Sequence, residues 1–158
     1  MEDCKSAPSP FQYGVKISAT CTSPKVDATL YCQLVDSILY LTHSCPDLSF
    51  SIGHVSRYMK TPHEIHSKVA KRILRYIRGT IQFGIHYSIG GEPLLVGFTD
   101  LDWAGDPDDR KSTADYVFSM GSGPVTWACK KQQALALSSA EAEYRAAVNA
   151  SQEVLWLR

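Results

Sequence analysis

The chain has 158 residues, of which 44% are hydrophobic and 20% are charged, with ten glycines and eight prolines. This is the composition of an ordinary globular chain, and it excludes a disordered, collagen-like or coiled-coil protein. Basic and acidic residues number 16 each, so the net charge is zero. No apolar run approaches the roughly 18 residues that a membrane-spanning helix needs, so none is predicted.

The first half of the chain predicts an extended tail followed by helices. Residues 1–29 are rich in Ser, Pro, Thr and Lys without periodicity and predict the tail. Within residues 30–80, apolar side chains at helical spacing predict three amphipathic helices. Their stripes are Leu34, Val35, Ile38 and Leu41; Leu48, Ile52, Val55 and Met59, after Pro46; and Ile65, Val69, Ile73 and Ile77. Thr61 and Glu64 predict a capping box for the third helix, with Pro62 at its first position and Gly79 at its end.

The second half predicts a sheet and one more helix. Four short β-type runs, separated by glycine-rich turns, predict an antiparallel meander over 83–88, 94–99, 116–120 and 125–128. A final helix is predicted to begin at Ser138 or Ser139, with Glu141 three residues after the first serine. The predicted fold class is therefore α+β, with a helical lobe (30–80) followed by a meander and one helix (81–158).

Charges are segregated along the sequence. Between His54 and Arg78 there are seven basic residues and one acid, and between Glu92 and Asp115 there are seven acids and two bases. A basic face suits a phosphate backbone and an acidic cluster suits a divalent metal, although two solvated faces explain the pattern equally well. The basic residues that would bind nucleic acid are Arg57, Lys68, Lys71, Arg72, Arg75 and Arg78.

The acidic region contains the strongest local signal, "TDLDWAGD". Asp100 ends a predicted strand, Asp102 and Asp106 lie just beyond it, and Glu141 and Glu143 lie on the later helix. Carboxylates on a strand and a facing helix can hold the divalent ions that phosphodiester hydrolysis uses. Acids at strand ends are more often turn residues, however, so spacing alone leaves both interpretations open.

Three longer blocks resemble a known family. "LTHSCPDLSFSIGHVSRYMKTPHEIHSKVAKRILRYIRGT", "LVGFTDLDWAGDPDDRKSTADYVF" and "ALSSAEAEYRAAVNASQEVLWLR" closely resemble the C-terminal part of the Pol polyprotein of copia-type LTR retrotransposons. The resemblance covers roughly residues 30–158. It implies that the helical part follows the reverse transcriptase and that residues 81–158 are the N-terminal half of a ribonuclease H-like domain.

The resemblance also implies the site. Asp100 would be the first catalytic carboxylate and Glu143 the second, both holding Mg²⁺ that activates water against the RNA strand of an RNA–DNA hybrid. Glu143 precedes Ala146 and Ala147, small residues that would let the helix pack closely on the sheet, whereas Glu141 would lie nearer the cap. A Pol fragment of this kind is expected inside the cell, in the cytoplasm or nucleus.

The sequence departs from the family pattern in ways that argue against an active nuclease. The resemblance implies that the family's third and fourth carboxylates would lie beyond Arg158, so we expect half of the metal shell to be absent from residues 1–158 and efficient catalysis to be lacking. Asp36 and Asp115 stand where the family usually has glycine. These departures suggest a decayed or repurposed copy.

An alternative function comes from the tetrapeptide Arg72, Ile73, Leu74 and Arg75. It matches the RxLR pattern of secreted effectors from oomycete plant pathogens, although copia-type Pol commonly has "KRILRYI" in this helix. Arg72 and Arg75 would share one exposed helix face. As an effector, the protein would enter host cells and act without catalysis on a host plant protein to suppress immunity or cell death, but the sequence shows neither a signal peptide nor a dEER-like segment.

The remaining candidate residues give weaker signals. "HEIH" lacks the i, i+4 spacing of a helical zinc pair, so His63 and His66 are interpreted as surface residues of the first turn. The five cysteines never form a CxxC pair, which makes a zinc site or a disulfide framework unexpected. Three tryptophans could stack on bases, but burial is the preferred interpretation for Trp103, Trp127 and Trp156.

Overall fold

The computed structural model describes residues 4–90, 92 and 94–157. The chain divides into two compact units, a helical unit (Met1–Gly84) and a sheet unit (Ile85–Arg158). Helices and one antiparallel sheet are both present, which confirms the α+β class. No helix in the described part of the chain has the length and apolar character needed to cross a bilayer.

Three helices form the frame of the helical unit, as predicted. They are α1 (Ala28–Leu39), α2 (Ser49–Ser56) and α3 (Glu64–Gly79), with short 3-10 turns at Tyr40–His43 and Pro46–Leu48. The predicted stripes form the core, where Val35, Ile52 and Ile73 are fully buried. Asp27 caps α1 by accepting hydrogen bonds from the main-chain N–H groups of Thr29 (2.8 Å) and Leu30 (3.1 Å).

The start of α3 differs from the predicted capping box. Its N-cap is His63 instead of Thr61, and the main-chain N–H of His63 donates to His66 Nδ1 over 3.0 Å. The cause is a short antiparallel pairing with an earlier segment, in which Val26 N–H donates to Pro62 O (3.1 Å) and Glu64 N–H donates to Pro24 O (2.8 Å). These bonds hold residues 62–63 extended and delay the helix.

The segment before α1, residues 4–26, contains no helix and no regular strand, yet it packs on the helices. Ile17 is 1% exposed and belongs to the core, and its carbonyl accepts a 2.8 Å hydrogen bond from Tyr58 Oη. Ala7 is also buried, and its N–H donates to Arg75 O over 3.2 Å. The helical unit thus includes this segment, which we call the N-terminal strap (residues 4–26).

The sheet unit contains three strands in the order β1-β2-β3 and one helix. The strands β1 (Leu95–Asp102), β2 (Thr113–Met120) and β3 (Gly123–Lys131) form the predicted antiparallel meander, and α4 (Ser139–Leu157) follows. The α4 residues Ala142, Ala146 and Ala150 are buried. A side chain at Gly97 would overlap the ring of its partner Phe118, so glycine is needed there.

The first predicted strand is wrong, because residues 83–88 have no strand structure. The hydrogen bonds of this segment go to the β2–β3 turn and the start of β3: Tyr87 Oη donates to Pro124 O over 2.5 Å and Ser88 N–H donates to Ser122 Oγ over 2.9 Å. Isolated bonds of this kind do not form a ladder, and Pro124 has no N–H to contribute to one. The segment 83–88 therefore makes isolated contacts with residues distant in the sequence instead of forming a strand.

Candidate divalent-metal site

Asp100 and Glu143 line one cavity in the sheet unit. Asp100 lies on β1, which is an edge strand because it pairs only with β2 among the described residues, and Glu143 lies in the second turn of α4. The open cavity of about 190 Å³ is completed by Thr99, Leu101 and Ala146. The fold thus brings together the two carboxylates that the sequence singled out, although they are 43 positions apart.

The two carboxylates differ in how they are held. Asp100 Oδ1 accepts a 2.8 Å hydrogen bond from the main-chain N–H of Leu101, which keeps the carboxylate close to the strand. Glu143 is exposed on α4. Both groups are open to solvent, so a cation bound between them would keep several of its water ligands.

A third carboxylate lies on the neighbouring strand. Asp115 of β2 is directly opposite Asp100 in the ladder and is partly buried. Directly paired residues of an antiparallel sheet share a face, with Cβ atoms about 5 Å apart. The two acids therefore place like charges side by side, which a cation near Asp100 would relieve. The other departure, Asp36, is exposed on α1.

Asp106 has a structural role, unlike Asp100. Its side chain is 1% exposed and forms a 2.6 Å ion pair with Lys131, which also contacts Asp109 over 2.8 Å. Asp106 Oδ1 accepts from Asp108 N–H over 2.9 Å. Burial opposes ionisation and is the largest single influence on its pKa, but the bonds from Lys131 and the loop N–H groups together outweigh it and lower the pKa to about 2.

Glu141 belongs to the start of α4. Its carboxylate accepts from Leu137 N–H over 2.8 Å and pairs with Arg145 over 2.7 Å, while its own N–H donates to Ser138 Oγ over 3.1 Å. The Leu137 hydrogen bond, followed by the Arg145 charge, lowers the pKa of Glu141. This is the cap position expected for Glu141, and it leaves Glu143 as the helix carboxylate at the cavity.

The basic candidates lie in the helical unit, where half of them hold the N-terminal strap. Arg72 Nε donates to Ser9 O (3.1 Å), Arg75 Nε donates to Lys5 O (2.7 Å), and Arg78 donates to Cys4 O (2.5 Å). Lys68 is exposed and pairs with Glu64 over 3.0 Å, and Lys71 is exposed. Arg57 is partly buried after α2.

The tetrapeptide of residues 72–75 lies in the interior of α3. Ile73 is fully buried and Leu74 is partly buried against the core. Arg72 and Arg75 do share one side of the helix, but both are partly buried instead of fully exposed, because each donates to a carbonyl of the N-terminal strap. The tetrapeptide is thus an integrated part of the helical core.

Two sets of weaker expectations are corrected by the structure. His63 is 8% exposed and His66 is 0% exposed, so they are not surface residues, because the N-terminal strap covers the first turn of α3. The burial expected for all three tryptophans also fails, since Trp103 is 49% exposed and Trp156 is 79% exposed. Trp127 is partly buried.

The histidines belong to a cluster that sequence spacing did not indicate. Ligand atoms of Cys21, His63 and His66 all lie within 4.8 Å of one another. This is the only such group of three or more potential metal ligands within residues 4–90, 92 and 94–157. The pairing of residues 24–26 with 62–64 brings Cys21 close to the histidines. The spacing within "HEIH" carries no information about this pairing, so only the pairing could have revealed the cluster.

Asp100 and Glu143 fit a magnesium ion better than any softer metal. Both offer hard carboxylate oxygens at an open, solvated cavity, and Mg²⁺ is commonly bound by one or two carboxylates together with water and substrate phosphates. No third ligand closes around them among the described residues. The oxygen donors of this pair are thus of the type that Mg²⁺ prefers.

Comparison with known proteins identifies relatives of two kinds. The chain is 40% identical over 151 residues to the "Retrovirus-related Pol polyprotein from transposon RE1" of Arabidopsis thaliana, covering 96% of this chain and 10% of that protein. It is 41% identical over 145 residues to the corresponding RE2 polyprotein of the same plant, covering 86% of this chain and 10% of that protein. The chain thus spans about a tenth of these polyproteins.

Another relative is similar in length to this chain. The chain is 41% identical over 128 residues to "Secreted RxLR effector protein 161" of Plasmopara viticola, covering 80% of this chain and 90% of that protein. No protein-family profile matches the chain. No solved structure shows significant similarity to it.

Proposed function

We propose that the chain is a segment of a retrotransposon Pol polyprotein, because it belongs to the sequence family that includes copia-type retrovirus-related Pol polyproteins and secreted RxLR effector protein 161. Its sheet unit is then the first half of a ribonuclease H-like domain. The observation that carries this proposal is the shared cavity of Asp100 and Glu143. The strand, the helix and their carboxylates occur in the order that the family resemblance implies.

The chemistry assigned to this site is metal-assisted attack on a phosphodiester. Mg²⁺, when bound, supplies positive charge that activates water and stabilises the charge developing on the phosphate. Asp100 positions its carboxylate from β1, held by the Leu101 N–H, and Glu143 contributes from the rigid helix α4. The substrate class is the RNA strand of an RNA–DNA hybrid.

We expect this chain by itself to lack efficient catalysis. Two-metal hydrolysis of a phosphodiester requires carboxylates around both ions. Among the described residues, Asp100 and Glu143 are the only carboxylates that line the cavity. Asp115 is close to Asp100 but is not a cavity residue. Two carboxylates support weak binding of one ion.

Contact with the hybrid backbone is assigned to the helical unit. Lys71 is exposed, whereas Arg72 and Arg75 are bound to the N-terminal strap. Lysine near phosphate releases counterions on binding, which makes affinity fall with salt. Lys71 is therefore expected to contribute more to nucleic-acid affinity than either arginine.

A hydrolysis and binding experiment tests the proposal. The whole chain is mixed with an RNA–DNA hybrid and Mg²⁺, beside the double variant Asp100→Asn, Glu143→Gln and the loop control Asp108→Asn. We expect the double variant to lose Mg²⁺ affinity by at least about tenfold, while Asp108→Asn does not. Hydrolysis of the hybrid by the original chain is expected to be no faster than hydrolysis by the double variant.

Any of three results would contradict this function. Equal Mg²⁺ affinity in all three proteins would remove Asp100 and Glu143 as ligands. Salt-independent binding of the hybrid, or a salt slope that does not fall by about 1 with Lys71→Gln, would remove the nucleic-acid contact.

A second candidate function is favoured by one comparison. The relative from Plasmopara viticola is described as a secreted RxLR effector, and this chain spans nine-tenths of its length. On this basis the chain would be secreted into a host cell and act on a host plant protein without catalysis, suppressing immunity or cell death. The buried Ile73 argues that residues 72–75 then work as part of folded α3 instead of as a loose peptide.

Expression in plant cells separates the two functions. The chain and its Asp100→Asn, Glu143→Gln variant are scored for suppression of induced cell death. Suppression by both proteins supports the effector function, because it needs no metal site. If neither protein suppresses cell death, the effector function is contradicted and the Pol segment function is retained.

A further inference from the structure

We propose that Cys21, His63 and His66 bind one Zn²⁺ ion in the helical unit. One ligand atom from each residue lies within 4.8 Å of the other two. Both histidines are buried, and Cys21 is partly buried. A thiol and two imidazoles are the donor set of zinc sites, and they are unsuited to Mg²⁺, which prefers oxygen.

The backbone holds the ligands together without any metal. Cys21 lies in the N-terminal strap, and His63 and His66 lie at the N-cap and the first turn of α3. The hydrogen bonds Val26 N–H to Pro62 O and Glu64 N–H to Pro24 O fasten the strap beside these histidines. Little rearrangement of the chain is therefore needed to close a site, which lowers the entropic cost of binding.

The ring of His66 is held in a fixed orientation by its neighbours. Its ring stacks on Tyr58 with centroids 4.0 Å apart and planes 9° apart, and its Nε2 lies 3.1 Å from Ser18 O. A proton on Nε2 that is donated to this carbonyl leaves a lone pair on Nδ1. Metal-bound histidines usually make this kind of hydrogen bond from the other ring nitrogen to a carbonyl. Metal binding at Nδ1 would replace its bond from His63 N–H.

His63 supplies the second, independent indication of a ligand. It is 8% exposed, and its buried Nδ1 has no hydrogen-bond partner among the described residues. The main-chain N–H of His66 approaches the His63 side chain in a capping-box arrangement, without a hydrogen bond of regular geometry to Nδ1. A buried nitrogen without a partner is costly, and a metal ion would satisfy it.

The expected site has three protein ligands and one open position. Cys21, deprotonated on binding, and the two neutral imidazoles give three ligands, and water can reach the fourth position from the partly exposed Cys21 side. Because Cys21 comes from the strap and the histidines from α3, the ion would fasten these two elements. Zinc binding is therefore expected to stabilise the helical unit and to protect the strap.

The test uses the whole chain, stripped of metal with a chelator and titrated with Co²⁺ and then Zn²⁺. We expect a single equivalent of Co²⁺ to give the absorption of a tetrahedral site together with a sulfur-to-cobalt charge-transfer band, which Zn²⁺ then displaces. Cys21→Ser should abolish the sulfur band, and His63→Asn should weaken Zn²⁺ affinity by at least about tenfold.

Matched controls keep folding separate from metal binding. Cys129→Ser and His86→Asn change the same residue types in the sheet unit, and both are expected to bind Zn²⁺ as the original chain does. Zn²⁺ should raise the melting temperature and slow proteolysis of the strap in the original chain, but not in Cys21→Ser. The metal-free melting temperatures of Cys21→Ser and the original chain should agree.

Three results would overturn the proposal: no stoichiometric Zn²⁺ binding by the original chain, a sulfur band that survives Cys21→Ser, or equal loss of affinity in the Cys129→Ser control. Because Asp100 and Glu143 lie in the other unit, Mg²⁺ binding there is expected to be unchanged by Cys21→Ser. Failure of the zinc site is thus distinguishable from failure of the proposed function.

Discussion

Acidic residues that are close in the sequence have different roles in the fold. Asp106 is buried and paired with Lys131, Glu141 caps α4, and Asp100 and Glu143 line a cavity. The environment of each carboxylate therefore separates structural acids from candidate ligands. Composition alone would have treated all of them as one acidic cluster.

The buried pair at Asp106 predicts acid sensitivity of the sheet unit. The pKa of Asp106 is about 2 in the folded chain, compared with an ordinary value of 3.8. A lowered folded pKa contributes stability above the unfolded pKa, and this contribution is lost as the pH falls through the folded pKa. We expect about 2 kcal/mol of unfolding free energy to disappear between about pH 5 and pH 2.

Hydrogen exchange of the β3 amides measures this effect. Asp106→Asn is expected to remove about the same 2 kcal/mol at neutral pH and to flatten the acid response. Glu92→Gln, which changes an exposed acid of the same unit, should leave both unchanged. An acid response in Asp106→Asn as steep as in the original chain would contradict the role of the pair.

The elements that could be predicted from the sequence are those with local signals. Helical periodicity predicted α1, α2 and α3, and turn residues predicted β1 to β3, because these patterns depend on neighbours a few residues away. The strand predicted over 83–88 is wrong because the contacts of this segment are with the β2–β3 hairpin, more than 30 residues later. The predicted exposure of His63 and His66 is wrong for the same reason, since the strap that covers them lies about 40 residues earlier.

The candidate site was predicted from the family resemblance and not from local patterns. Strand and helix spacing could not distinguish Asp100 and Glu143 as metal ligands from ordinary turn acids, whereas the resemblance selected them as ligands. The structure adds that they share a cavity and that Glu141 does not belong to it. The N-terminal strap, which occupies Arg72 and Arg75, had no sequence signal because proline and serine give no period.

The alanine row of α4 predicts a difference between its buried and exposed positions. Ala142 is 0% exposed and does not line the cavity, whereas Ala147 is exposed. Ala142→Leu is expected to destabilise the sheet unit by about 1–3 kcal/mol because it overfills a packed position. Ala147→Leu should change stability by less than about 0.5 kcal/mol. Urea unfolding of both variants checks this, and equal losses would contradict the assigned helix face.

For the whole molecule, the charge segregation seen in the sequence coincides with the division into units. The basic residues from Arg57 to Arg78 belong to the helical unit, and the acids from Glu92 to Asp115 belong to the sheet unit. Much of each charge is used internally, by carbonyls of the strap in one unit and by Lys131 in the other. The exposed charges include Lys71 in the helical unit and the pair of Asp100 and Glu143 in the sheet unit.

The most direct test of this account is to locate the divalent ion. Mn²⁺, a paramagnetic substitute for Mg²⁺, is titrated into the isotopically labelled chain, and broadening of main-chain amide signals is measured by NMR. The account predicts that broadening begins at residues 99–101 and 143–146 and is lost in Asp100→Asn, Glu143→Gln. Broadening that begins elsewhere in the sheet unit, or that persists in the double variant, would contradict it.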